Sequence, residues 1–531
     1  MIPLHIHSNY TLLKGTIPVE QLIDQAKSFN LNSLAITDTN GMYGVIQFTK
    51  FALASKIKPI IGCLIDEPGK NEIYAVLLAK NDNGYSNLCK IITSRKLNDD
   101  FSLSSLLSGK FPDLFIITPQ IELLKCVNKS NSVYVELITA KSEKNRNRER
   151  YQIAQQNNLK CVASNPVYFL SEEDYLLHKT VSAIRLNKNI SDLSMNDLAD
   201  EEFYFKNPRT IENEWSGLPE VLSQSEIIAN ECNVNLHLNE YKYPSFDAGS
   251  NKSTEALLWN EAYKGLNERY KIITEKIQKR LDDELAVIRE MSFTDYFLIV
   301  WDIVREAKRR GMMIIGRGSA ANSLVAYCLG LTQVDPIELN LYFERFMNKA
   351  RSSPPDVDID FSWKERDEII KYIFEKYGYE NVAMISTTVT FRARSAFREV
   401  AKAFGISNEE ISTFSKRIPW TNASNLPKLA ELFPESKQLN FKMEPWKSIV
   451  DLASRITKYP RHLSIHPGGI VITPTKITDY VALEYAKNKG LGLIVTQPDM
   501  YSIEDLGLIK IDILSQRSLG VLRDTMETLK K

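Results

Sequence analysis

The stretch Pro354-Pro355-Asp356-Val357-Asp358-Ile359-Asp360-Phe361 decides how this chain is read. In an extended strand, side chains two apart lie on one face. Asp356, Asp358 and Asp360 are therefore expected side by side, with Val357, Ile359 and Phe361 packed behind. Like charges repel, so the fold gains nothing from such a row by itself. A hard cation such as Mg²⁺ removes the conflict, because it prefers carboxylate oxygen and keeps positions open for phosphate oxygens. Two such ions stabilise the attacking and leaving oxygens of an in-line phosphoryl transfer. An exposed acidic turn is the competing reading.

Upstream lies Gly316-Arg317-Gly318-Ser319-Ala320-Ala321-Asn322-Ser323, before the apolar run Leu324 to Leu331. Small residues let backbone approach a phosphate, and a helix N-terminus supplies unpaired N–H groups. Arg317 adds a bidentate charge. The G-x-x-x-x-G-K pattern of a Walker loop is absent, and a tight turn before a core helix is the alternative. Downstream, Gly507-Leu508-Ile509-Lys510-Ile511-Asp512-Ile513-Leu514 sets Lys510 and Asp512 on one strand face, opposite Ile509, Ile511 and Ile513. That is either an edge-strand ion pair or a site. Two basic stretches accompany these motifs, one with Arg392, Arg394 and Arg398, the other with Arg461 and His466. Alternating basic and apolar residues suit contact with a phosphate backbone. Taken singly, each stretch also fits a solvated surface.

The N-terminal third alternates strand and helix. Leu4 to His7 alternates like a strand, Pro18 to Phe29 has helical spacing, and Leu34 to Thr37 is a short buried strand followed by Asp38. Further strands are expected at Ile73 to Ala79, Leu114 to Thr118, Val133 to Ile138 and Lys160 to Ala163. This pattern predicts an α/β domain, either open or closed as a barrel. The charged run Lys141 to Arg150 reads as a solvated helix face. Pro, Gly, Ser and Asn crowd residues 236–253, the expected linker. Residues 395–460 read as helical and rich in Lys and Glu. Short strands return at Gly469 to Thr473, Leu493 to Thr496 and Gly507 to Leu514.

The chain's 531 residues suggest three or four domains. Hydrophobic residues at 44% and charged residues at 25% can bury several cores. Sixty-six basic residues balance 66 acidic ones, which argues against a histone-like binder but not against a basic groove offset by an acidic cluster. Six scattered cysteines offer no C-x-x-C pair, so reduced thiols are expected. The start lacks a signal-peptide pattern, and the apolar run Tyr296 to Val300 is too short to cross a bilayer. A cytoplasmic location is the expectation.

Four stretches occur in order: GRGSAANSLVAYCLG from Gly316, FERFMNKARSSPPDVDIDF from Phe343, RHLSIHPGGIVI from Arg461 and GLIKIDIL from Gly507. Together they resemble the palm motifs of bacterial C-family DNA polymerases, the family of the polymerase III alpha subunit. The resemblance implies a multidomain α/β and α+β chain. Its parts are a PHP-type α/β barrel at 1–235, a linker at 236–253, a nucleotidyltransferase-like palm at 254–395 and 461–531, and a helical thumb inserted at 396–460. It implies primer extension with deoxynucleoside triphosphates on primer-template DNA, with two Mg²⁺ ions. The family's catalytic aspartates map onto Asp358, Asp360 and Asp512, with Asp356 an extra acidic position. Its triphosphate contacts map onto Gly318, Ser319 and Lys510, with Arg317 and Arg351 beside them. DNA contacts are expected from Arg392, Arg394, Arg398, Arg461 and His466. Ala321-Asn322-Ser323 and Ser353-Pro354-Pro355 lean towards error-prone, translesion members. A sliding clamp and other replication or repair subunits are implied partners.

At the N-terminus, His5-Ile6-His7-Ser8, Thr37-Asp38-Thr39-Asn40-Gly41 and Lys58-Pro59-Ile60-Ile61-Gly62 resemble the polymerase-and-histidinol-phosphatase (PHP) domain. His5, His7 and Asp38 match its metal ligands. Lys14, Thr39, Leu64, Pro166 and Tyr168 depart from the pattern, and Lys and Leu do not ligate such cations. A domain without nuclease activity is therefore expected, with a single-metal site as the minority reading. The chain ends at Lys531, soon after Asp512, before the fingers that such a family adds next. A truncated or split polymerase is the expectation, and a non-catalytic module binding DNA or a partner is the alternative.

Overall fold

The computed structural model describes all residues except 250–252, 350–354, 438, 440, 487–492 and 531. Strands in chain order are β1 (Ser33–Ile36), β2 (Lys58–Glu67), β3 (Lys70–Ala79), β4 (Leu114–Thr118), β5 (Ser132–Ile138) and β6 (Lys160–Ser164). They continue with β7 (Ile314–Arg317), β8 (Asp358–Ser362), β9 (Val382–Thr390), β10 (Pro460–Ile472), β11 (Leu483–Tyr485), β12 (Ile494–Asp499) and β13 (Lys510–Gln516). The chain divides into two compact units. The first comprises Met1–Leu236, Thr387–Ser464 and Val481–Tyr485; the second comprises His237–Ser386, Ile465–Tyr480 and Ala486–Lys531.

In the first unit, β1 to β6 form one sheet in sequence order. β2–β3 and β3–β4 pair antiparallel; β1–β2, β4–β5 and β5–β6 pair parallel. The expected strand Leu4 to His7 is reduced to one bridge, Ile6 to Val167. Its hydrogen bonds nevertheless join both ends of the sheet. The N–H of His7 donates to Val167 O at 2.8 Å, and the N–H of Thr37, just past β1, donates to Ile6 O at 2.7 Å. Leu4, Ala35, Ile60, Val76, Leu78, Phe115, Ile117 and Val162 form the core enclosed by this sheet and the helix Pro219–Glu231.

The run Lys141 to Arg150 is helical from Lys144 onward, but its charges are not all in water. Glu143 and Arg150 are buried and paired at 2.7 Å, and Arg150 Nε donates to Pro119 O at 3.0 Å. The periodicity found the helix and missed that one of its faces is an internal ion pair.

Residues 396–460 are mostly helical, as expected, with helices Ala393–Ala403, Asn408–Ser415 and Trp446–Arg455. They pack within the first unit. Phe397, Val400, Ile411, Ile449 and Ala453 share a core with Leu177 and Val181 of helix Tyr175–Leu186. β11 is tied there too: Thr93 Oγ1 accepts from the N–H of Leu483 at 3.0 Å, and the Tyr43 hydroxyl donates to Glu484 at 2.6 Å.

In the second unit the strands run in the order β12-β9-β10-β13-β8-β7. β8 pairs parallel with β13 and antiparallel with β7; β13 pairs antiparallel with β10. Val357, Ile359, Phe361, Ile511 and Ile513 are buried together with helix Thr294–Arg309. Each such side chain contributes roughly 2 kcal/mol of burial. Tyr296 to Val300 therefore belongs to a core helix; among the described residues, no helix is long and apolar enough to cross a membrane. Part of the expected linker also joins this unit: the N–H of Lys242 donates to Gly507 O at 2.8 Å, and its ammonium donates to Leu506 O at 2.6 Å. Residues 250–252 of that linker lie outside the described residues.

Candidate active site

The register of the second sheet builds the acidic centre. Asp512 on β13 lies directly opposite Asp358 on β8, and Gly469 on β10 lies opposite Asp512 from the other side. Asp356 precedes β8, so the strand's pairing does not hold its backbone. One carboxylate oxygen from each of Asp356, Asp358 and Asp512 lies within 4.8 Å of the others. Asp360 is not in this group. It sits one repeat further, roughly 6.6 Å along a strand, opposite Leu514 and Ile315. Its nearest ionic partner is Arg317, with Nε 3.4 Å from Oδ1. The alternation correctly faced the aspartates one way; strand rise prevents three in a row from sharing one centre, and the neighbouring strand decides which two do.

The centre is electrostatically strained. Burial, then the charges of Asp356 and Asp512, push the Asp358 carboxyl up to about 6. Burial and Asp512 also raise Asp356, and Lys510 opposes the shift. Lys510 Nζ donates to Asp512 Oδ2 at 2.8 Å; burial works against the ammonium, but this bond and charge outweigh it and raise its pKa. Glu504 stands near enough to feel Asp356, Asp512 and Lys510, and burial raises its carboxyl. Asp512 Oδ1 is buried without a hydrogen-bond partner, as is Asp360 Oδ1. His466 Nδ1 lies 3.7 Å away, but it accepts the N–H of Gly469 at 2.7 Å and so carries no proton towards Asp512. Three crowded carboxylates, one ammonium and an orphaned buried oxygen fit a hard divalent cation.

The loop before helix Leu324–Cys328 approaches this centre. A Cβ on Gly316 would lie 1.7 Å from Leu331 O, so only glycine fits. Gly318 has φ +74°, and the position of a Cβ there is 3.4 Å from Asp358 Oδ2. The expected unpaired N–H groups at the helix start are taken: Val325 donates to Glu284 Oε2 at 3.1 Å, and Ala326 donates to Ser323 Oγ at 3.1 Å. A phosphate is left the turn itself, Gly318 and Ser319. Arg317 lies 3.8 Å from Asp358 and 3.4 Å from Asp360, a counter-ion to aspartates. Arg351 lies outside the described residues.

The expected DNA contacts separate. His466 joins the acidic centre, whereas Arg392, Arg394, Arg398 and Arg461 belong to the first unit. All four are engaged internally: Arg394 donates twice to Ile418 O, Arg398 donates to Ser415 Oγ at 3.1 Å, and Arg461 pairs with Glu399 at 2.7 Å. Arg392 donates to Asn422 Oδ1 at 2.6 Å and lies beside Trp420, whose ring is 87% exposed.

His5, His7 and Asp38 are buried in the first unit as part of a closed network. His5 Nδ1 lies 2.7 Å from Glu136 Oε1, its Nε2 lies 3.1 Å from His7 Nε2, and His7 Nδ1 lies 2.9 Å from Thr11 Oγ1. Asp38 accepts from the N–H and hydroxyl of Ser8 and from Thr11 Oγ1, each at 2.7 Å. The Lys14 ammonium stands 4.8 Å over the Tyr168 ring, and burial lowers its pKa to about 8. Among the described residues, the acidic centre of the second unit is the one group of three ligand atoms this close.

Sequence reasoning missed Glu136 and Glu284. Each left a signal: Glu136 interrupts the apolar strand Val133 to Ile138, and Glu284 takes a core position between Leu281 and Leu285.

Comparison with known proteins agrees with this layout. Residues 3–169 match the PHP domain, and residues 256–515 match the bacterial DNA polymerase III alpha NTPase domain. An error-prone DNA polymerase of Symbiobacterium thermophilum is 31% identical over 99% of this chain and 52% of its own length. The DNA polymerase III subunit alpha of Bacillus subtilis is 33% identical over 100% of this chain and 49% of its own. That of Buchnera aphidicola is 34% identical, over 99% and 49%. The chain thus spans about half the length of the curated relatives it matches. With a PHP domain followed by an alpha NTPase domain, and similarity to these proteins along its whole length, the chain belongs to the bacterial DNA polymerase III alpha family.

Proposed function

We propose that the second unit is the palm of a DNA-directed DNA polymerase, adding deoxynucleoside monophosphates to a primer 3′ end in replication or translesion synthesis. The observation that carries this is the trio Asp356, Asp358 and Asp512, crowded within 4.8 Å. Mg²⁺ held by these three carboxylates supplies charge stabilisation to the oxygens that attack and leave the phosphorus. Asp358 and Asp512 are kept from the reading of the sequence, and Asp356 replaces Asp360 as the third ligand. Lys510, fixed by its bond to Asp512, offers a charge to the triphosphate. Gly318 and Ser319 offer a close backbone approach. The substrates on this reading are primer-template DNA and deoxynucleoside triphosphates. A sliding clamp and other replication subunits are the proposed partners.

The first unit is read as a PHP domain without nuclease activity, because its candidate ligand atoms already satisfy one another. Arg392 with Trp420 is the part of the helical region best exposed for DNA.

The first test is Mn²⁺ binding by the full chain, with extension of a labelled primer in Mg²⁺. Asp358→Asn and Asp512→Asn should lose both. Full Mn²⁺ affinity in both variants would remove the reading. Metal analysis of the Asp512→Asn chain addresses the PHP domain: stoichiometric Zn or Mn that disappears on His5→Ala would restore a metal site there. DNA affinity should fall steeply with salt, since phosphate contacts release counterions.

A further inference from the structure

The loop that carries Gly318 and Ser319 meets the carboxylates on one side and a buried ion pair on the other. Helix Glu275–Glu290 turns Ile277, Leu281, Leu285 and Ile288 into the core. Glu284 stands on the same face, 1% exposed. Its Oε2 accepts from Ser323 Oγ at 2.8 Å and from the N–H of Val325 at 3.1 Å. Its Oε1 accepts from Arg280 Nε at 2.6 Å. Arg280 donates from Nη2 to Asn322 O at 3.2 Å and to Leu341 O at 3.3 Å. The Asn322 amide then donates to Ser319 O at 2.9 Å. One chain of hydrogen bonds runs from the ion pair to the turn.

A charge is an expensive way to cap this junction. Burial works against the Glu284 carboxylate, and the bonds from Arg280 and the loop oppose that effect. Ser323 already caps the N–H of Ala326, and Glu284 takes only that of Val325. What the carboxylate adds is strength: bonds to an ionised acceptor are roughly twice those between neutral groups. The loop needs it, having only a short strand end, a left-handed glycine and a 3₁₀ turn of its own. Glu284 bonds to Arg280 and to the loop–helix junction, so it lies behind the turn that faces the aspartates.

We infer that Glu284, partnered by Arg280, is a positioning residue for nucleotide binding: it holds the turn so that Gly318 and Ser319 meet the phosphates of a deoxynucleoside triphosphate. This rests on the reading of the second unit as a nucleotidyl-transfer site.

The test is Glu284→Gln in the full chain. The volume is kept, but Arg280 Nε, Ser323 Oγ and the N–H of Val325 all donate to this group, so the amide NH₂ opposes a donor in either orientation. Mn²⁺ binding without nucleotide and dATP binding with Mg²⁺ are measured, with Lys510→Ala as the control for the site. Glu284→Gln should weaken dATP about tenfold and leave Mn²⁺ affinity within about twofold, because the aspartates keep their places. A merely structural role would move both constants together, and that outcome overturns the inference. Unchanged dATP affinity in Glu284→Gln, with a loss in Lys510→Ala, overturns it while sparing the site. No dATP binding by the parent chain, or none lost in Lys510→Ala, overturns the reading beneath it. If Glu284→Gln does not fold, Arg280→Lys serves. It keeps the charge and loses the fork to Asn322 and Leu341, and the same split is required of it.

Discussion

The two units each gather titratable side chains near strand ends, and they treat them in opposite ways. In the first, His5, His7, Asp38 and Glu136 find partners among themselves and with Ser8, Thr11 and Ser164. In the second, Asp356, Asp358 and Asp512 face one another, and Asp512 keeps a buried oxygen with no partner. The first cluster is buried throughout, whereas in the second only Asp512 is buried, Asp358 is half-buried and Asp356 is exposed. The distinction lies in what remains unsatisfied. A polar network that closes on itself stabilises the fold, whereas one left open and repelling is stable only with something added.

The comparison breaks first at Glu136. It is fully buried and accepts from His5 and Ser164, each at 2.7 Å. Burial pushes its carboxyl up, but the charge of His5 and the bonds from His5 and Ser164 outweigh burial and leave it lowered. Glu136→Gln should cost roughly 4 kcal/mol in urea unfolding, as for one partner removed from a buried pair. A neutral outcome would mean that the first cluster is not structural after all.

The next effect is on pH. His178 Nδ1 bonds to Lys14 O and its Nε2 accepts the N–H of Ala199, both at 2.9 Å. Burial lowers its pKa to about 4. The unfolded chain therefore takes a proton near 6.5 that the folded chain refuses until about 4. Stability falls as pH drops through that window, by up to about 3 kcal/mol. Unfolding at several pH values between 7 and 4 should show a steeper loss in the parent than in His178→Gln. Parallel curves would remove His178 as the cause.

Much of this was legible in the sequence. Short apolar runs located β4 and β5, and helical spacing located Val19–Ser28, because local burial set both patterns. β2 was not read as a strand: Pro59 and Gly62 interrupt its apolar run, and its near-complete burial leaves no alternation to offset them. The motif Asp356 to Asp360 announced an acidic centre, but the register that selects Asp356 and Asp358 is set by β13, over 150 residues away. The pairs Arg150–Glu143 and Arg280–Glu284, whose carboxylates are buried, had the composition of solvent-facing helix charges. Only the fold shows which of those faces turns inward.

A third effect has the opposite sign in the two units. Asp358→Asn should stabilise the metal-free protein by about 1 kcal/mol, because it removes the charge that Asp356 and Asp512 repel, while weakening Mn²⁺ more than about tenfold. Thermal unfolding with and without Mn²⁺ would show both changes at once. Destabilisation of the metal-free protein by Asp358→Asn would place Asp358 with the closed networks of the first unit.

The smallest effect decides the membership of the centre. Asp360 pairs with Arg317, whose Nε is 3.4 Å from Asp360 and 3.8 Å from Asp358. Removing the Asp360 charge leaves Asp358 as the remaining carboxylate for that guanidinium. Arg317 then competes with a cation for Asp358, so Asp360→Asn should weaken Mn²⁺ by only about twofold to threefold. Asp356→Asn removes a ligand from the trio itself and should weaken it more than about tenfold. Measured side by side on the full chain, the two variants rank the aspartates directly. The reverse ranking would mean that the cation draws Asp360 in from the next strand position and that Asp356 serves only as a neighbouring charge.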